Sequence, residues 1–215
     1  MAGASLVLTD DSLVSRLDRH LNRLEHVFAL ISGLAVFALM MLAVVSVSGR
    51  NFMNQPIPGY VDWIEQIMPL IAFMGIAYTQ REGGHIRMDL LVGKLSGRAL
   101  WLAELVTTSL ILILMLLLVW GTFAHFQRSF DLSQPMWSRD SSMDIGLPIW
   151  PAKLTVPVAF SVLCLRLMLQ VYVYARAAIT GQERPVGVPL IADAATQAAL
   201  EAATVSNGDT TEGGR

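Results

Sequence analysis

The sequence predicts an all-α membrane protein: four transmembrane helices with both termini cytoplasmic, preceded by a segment that suits a short N-terminal interfacial helix. Three observations predict it. The 215 residues are 54% hydrophobic but only 15% charged, against about 25% charged in soluble domains. Four apolar stretches approach or exceed the roughly 20 residues that a membrane crossing needs. Arginine and lysine are spread unevenly over the segments between them, and their placement, not the net charge of −2, sets orientation.

Residues 1–26 form a cytoplasmic N-terminal segment. Leu13, Leu17, Leu21 and Leu24 recur at helical spacing, with Arg16, Arg19 and Arg23 between them. The pattern fits either a helix lying among anionic headgroups or a solvated tail. The helical domain, 27–178, starts with an uncharged run from Val27 to Gly49, ended by Arg50. That run is too long for a signal-peptide h-region and extends about 34 Å as a helix.

A short loop, 50–60, is punctuated by Pro56, Pro58 and Gly59. The second helix covers about 61–79. Asp62 and Glu65 occupy its first turns, where the helix dipole favours acids. Pro69 lies inside it and predicts a kink. Ala72, Gly75 and Thr79 make a small-residue face that suits close packing against a neighbouring helix. The 80–98 loop exits through Gly83-Gly84, and Asp89 could cap a short helix to Leu95.

The third helix covers about 99–124 and the fourth 152–175. The long connection between them carries Trp137 and Trp150, which suit headgroup depth, as do Tyr172 and Tyr174 at the far end. Residues 179–215 lose their aromatics and become rich in Ala, Thr and Gly, which predicts a disordered cytoplasmic tail.

Orientation follows from the cations. Arg16, Arg19, Arg23, Arg81, Arg87, Lys94, Arg98, Arg176 and Arg184 would share one side, against Arg50, Arg128, Arg139 and Lys153 on the other. The first group is cytoplasmic by the positive-inside rule.

The chain carries no serine elbow, phosphate loop or His-Glu metal motif, so no catalytic, substrate-binding or metal residues are expected, and no cofactor or nucleic acid. Cys164, alone in an apolar run, reads as a packing residue. His20, His26, His85 and His125 raise a haem reading, but the topology places His125 at the opposite end of the helices from the others. Arg166 is the clear charge within a crossing, and it calls for snorkelling to headgroups or a buried partner, with Glu104 or an acid on another protein as candidates. Glu65 fits a wet interfacial carboxylate, a subunit contact or a coupling-ion ligand. His85, Arg87 and Asp89 form either a solvated turn or a docking knuckle.

Glu65, followed by Phe73, Gly75 and Ala77 and then by Arg81, Gly83, His85, Ile86 and Asp89, resembles the pattern of the small membrane subunit of tripartite ATP-independent periplasmic (TRAP) transporters, the DctQ-like family. The resemblance spans about residues 24–180. It implies a multi-pass subunit of the bacterial inner membrane, without enzyme activity or a substrate site of its own, with the motif residues serving structure or subunit contact. The implied partners are a large permease subunit, a periplasmic solute-binding protein and membrane lipids. The implied process is ion-gradient-driven uptake of a solute such as an organic acid. The alternative is a haem- or quinone-linked membrane anchor of an electron-transfer complex.

Overall fold

A computed structural model describes residues 13–55, 57–81 and 98–180. Within them the chain is helical: α1 (Leu13–Met53), α2 (Tyr60–Met74), α3 (Ile76–Arg81), α4 (Arg98–Ser129) and α5 (Trp150–Thr180), with one 3-10 turn at Pro135–Trp137. Two isolated bridges, Phe130 with Ser138 and Ser141 with Pro148, tighten the α4–α5 connection. Among the described residues α1, α4 and α5 are long and apolar enough to cross a membrane. The expected second crossing is divided between α2 and α3, of 15 and 6 residues. The expectations for the C-terminal tail and for a helix after Asp89 lie outside the described residues.

The N-terminal segment is not a separate helix. Residues 13–26 continue into the first apolar run as one helix of 41 residues, about 61 Å long at 1.5 Å per residue. Neither Gly nor Pro occurs between Leu13 and Ser32 to break it.

The centre of the bundle is α5. In its most apolar stretch 56% of residues are buried, against 11% in α4 and 0% in α1. It runs antiparallel to α4. Trp101, near the start of α4, stacks on Tyr174 with ring centroids 6.0 Å apart. At the other end Phe126 and Phe130 meet Trp150. A second core joins Ala77 to Val162, Leu163 and Leu167, and Phe73 packs edge-on against Phe160 at 5.2 Å. The two ends are called below the Tyr174 end and the Trp150 end.

Pro69 lies inside α2, and the interruption of the second crossing comes further along. The helix runs through Pro69 and breaks at Gly75. There the Gly75 N–H bonds to the Phe73 carbonyl instead of to Ile71. The freed Ile71 carbonyl accepts a hydrogen bond from the Ser32 hydroxyl of α1, 3.1 Å away. A side chain from a neighbouring helix thus supplies the partner that the broken turn lost, as an apolar surrounding requires.

Candidate functional site

The most concentrated chemistry lies at the Tyr174 end. Arg166 is wholly buried on α5. Its Nε and Nη2 donate to the two oxygens of Glu25, each at 2.7 Å, in a forked pair. Its Nη1 donates to Asp18. The other Asp18 oxygen accepts from Arg81 Nη2 of α3 at 3.2 Å. Alongside, Gln80 Nε2 donates to Gln170 Oε1 at 2.9 Å. Among the described residues of the clasp, two guanidinium groups thus face two carboxylates.

Local sequence explains why these groups meet. Asp18 and Glu25 are seven residues apart, two turns along one face of α1. Ser15, Asp18, Asn22 and Glu25 repeat at three- and four-residue intervals, the spacing of a helix seam. Arg166 and Gln170 are one turn apart on α5. The leucines of the same α1 segment turn the other way: Leu17 and Leu24 are exposed. The segment is therefore amphipathic with its acids inward and its leucines outward, the order expected where the surroundings are lipid.

These findings revise the expected partners of Arg166. It neither snorkels nor pairs with Glu104; its carboxylates come from α1 of its own chain. Glu104 is buried on α4. Asp18 and Glu25 escape a reading by apolar stretches because they precede the first uncharged run. The signal that finds them is the polar seam at heptad-like spacing. Chemically the cluster is a clasp between α1, α3 and α5. Each of its four charges has a counter-charge.

The other motif residues scatter. Glu65 is exposed on α2, Phe73 packs on Phe160, and Ala77 is buried beside α5. Gly75 sits at the helix break, where a Cβ would meet nothing within 4 Å. Ala72 and Thr79 are exposed as well and Gly75 is half-buried, so the small-residue face is largely uncovered among the described residues. Gly83, His85, Ile86 and Asp89 lie outside the described residues. His26 packs against Tyr78 at 4.9 Å. It and His20 lie at the Tyr174 end, whereas His125 lies near the far end of α4.

The Trp150 end holds a second, different constellation. One oxygen of Asp62, in the first turn of α2, accepts from the Ser142 hydroxyl at 2.6 Å and from the backbone N–H groups of Asp144 and Ile145 at 3.1 and 2.9 Å. Gly59 begins that turn with φ 69°, and a Cβ there would come within 2.5 Å of Ile145. Further along, Asp140 accepts from Ser129 at 2.9 Å and pairs with Lys153 at 2.6 Å. Those contacts, with Lys153 foremost, hold the Asp140 carboxyl below its ordinary value. Asp131 is held down to about 2 by the backbone N–H and hydroxyl of Ser133 and by Arg139. Met136 and Trp137 carry positive φ, a costly conformation for bulky residues; the Trp150 indole N–H pins the Met136 carbonyl at 3.0 Å. These contacts shape the connection and tie it to α2.

Comparison with known proteins adds one match. A family model described as the DctQ component of tripartite ATP-independent periplasmic transporters matches residues 39–177. That span includes Arg81 and Arg166 but begins after Asp18 and Glu25. No curated protein matches the sequence.

Proposed function

Because the chain belongs to the DctQ component family of tripartite ATP-independent periplasmic transporters, we propose that it is the small permease subunit, a membrane scaffold for a large transport subunit. The complex would take up a solute, an organic acid by class, using an ion gradient and a periplasmic binding protein. Four crossings, with α2 and α3 forming the second, and cytoplasmic termini complete the reading. The arginine and lysine distribution supports that orientation, so the Tyr174 end faces the cytoplasm of a bacterial inner membrane.

One observation carries the scaffold role. The charges at the heart of the bundle are engaged in holding the chain together, while broad apolar faces stay open. Asp18, Glu25, Arg81 and Arg166 form a buried clasp. Leu30, Leu34 and Phe37 on α1 and Leu110, Leu114 and Leu117 on α4 are exposed. A substrate path needs polar groups along its length; a scaffold needs apolar surface for neighbouring helices and lipid.

The test is co-expression with a large permease subunit and a periplasmic binding protein of the same transporter class. Co-purification with the large subunit, and loss of uptake on deletion of either membrane subunit, are expected. Full uptake by the large subunit without this chain would overturn the reading.

A further inference from the structure

The α1 segment before the apolar run and the C-terminal half of α5 enclose a groove of about 660 Å³. Leu17, Leu21 and Leu24 of α1 form one wall, and Leu165, Met168 and Tyr172 of α5 the other. Its depth can be placed. From Trp150 to Tyr172 is 22 helical steps, about 33 Å, close to the ~30 Å of a hydrocarbon core. With Trp150 at one headgroup boundary, the groove ends at the other.

Its rim is basic for a structural reason. His20 lines the groove, and Arg16 and Arg23 are four residues before and three after it, on the adjoining side of α1. Arg16, His20 and Arg23 are all exposed, and none is ion-paired within the described residues. The acids of the same segment, Asp18 and Glu25, are withdrawn completely into the clasp with Arg166. Burial of both acids leaves Arg16, Arg19, His20 and Arg23 and no acid on the described outer surface of this segment, directly beside an apolar slot at headgroup depth.

We propose that this groove binds one anionic phospholipid of the bilayer, with an acyl chain along the leucines and the phosphate at Arg16, His20 and Arg23. The apolar walls accept the chain, and charge complementarity selects the headgroup. The inference uses the membrane crossing of α1 and α5, not the transport role, and its test needs no transport assay.

The full chain, reconstituted in nanodiscs of equal phosphatidylglycerol and phosphatidylcholine, is released and weighed by native mass spectrometry. One phosphatidylglycerol retained per chain is expected. Arg16→Gln and Arg23→Gln should each lower its preference over phosphatidylcholine about fivefold, without change in helicity. Leu21→Trp should fill the groove and abolish retention of either lipid. A phosphatidylglycerol with a photoreactive acyl chain should label residues 14–24 and 165–172. Equal retention of both lipids, unchanged preference in the arginine variants, or labelling confined to other faces would overturn the site. So would efficient disulfide trapping between Leu21→Cys and Leu190→Cys, which would seat the C-terminal segment in the groove.

Discussion

The two ends of the bundle are held together by opposite means. At the Tyr174 end, two buried carboxylates of α1 meet two buried guanidinium groups. At the Trp150 end, single carboxylates gather hydroxyls, backbone N–H groups and part-exposed cations. A charge weighs most on stability where water cannot replace its partner. A buried pair is costly to break because the remaining partner keeps its charge away from water. An exposed pair is screened, and its loss is repaired by solvent.

The largest break in this contrast is Arg166→Met. It strands Glu25 and leaves Asp18 with Arg81 alone, and should cost about 3–5 kcal/mol, read as a fall in melting temperature and folded yield in detergent. Adding Glu25→Gln restores the charge balance and should recover a large part of that loss. A double variant no better than Arg166→Met alone would show that packing, not charge, makes the clasp.

Asp62→Ala comes next. It removes a carboxylate that accepts three hydrogen bonds from the α4–α5 connection. The expected result is faster proteolysis within residues 130–149 with an unchanged melt of the α4–α5 helices. Equal loosening at the Tyr174 end would erase the distinction between the ends.

Ser32→Ala tests a neutral contact between them. It leaves the Ile71 carbonyl without its donor and should cost about 0.6 kcal/mol, measured by reversible unfolding in mixed micelles. A loss as large as that of Arg166→Met would mean that the Gly75 break depends on this one bond.

The smallest effect is that of acid. Asp131 and Asp140 have folded pKa values below their unfolded ones, so their contribution is complete above the unfolded value of about 3.9. It is lost as pH falls through the folded values, toward about 2 for Asp131. Hydrogen exchange in the connection should be flat in protection from pH 8 to 5 and weaken only below about 4. Loss of protection between pH 7 and 5 would assign the connection to other groups.

Much of the architecture was legible. Apolar runs located α1, α4 and α5, because an apolar surrounding leaves a compositional trace that needs no partner. Their ends were less legible: α4 and α5 extend to Ser129 and Thr180, since polar residues such as Arg128 and Arg176 continue a helix into the interface without interrupting its backbone. The clasp was half legible. Arg166 stood out as an intramembrane charge, but its partners lay in a stretch where acids between arginines also suit a solvated face. Only tertiary contact decides which side of such a helix turns inward. The break at Gly75 was hidden for a similar reason: proline predicts a defect by its own chemistry, whereas here the turn yields where Ser32 can satisfy the carbonyl it frees.

The clasp also carries an order in time. Glu25 and Arg166 are separated by 141 residues of chain, and Asp18 and Arg166 by 148. At roughly 5–20 residues per second of synthesis, the acids of α1 precede their arginine by about 7–30 s. During that interval Asp18 has only Arg81, 63 residues further along the chain, and Glu25 waits for its arginine. The clasp is completed only when α5 arrives, so its closure marks a chain in which α5 has been inserted.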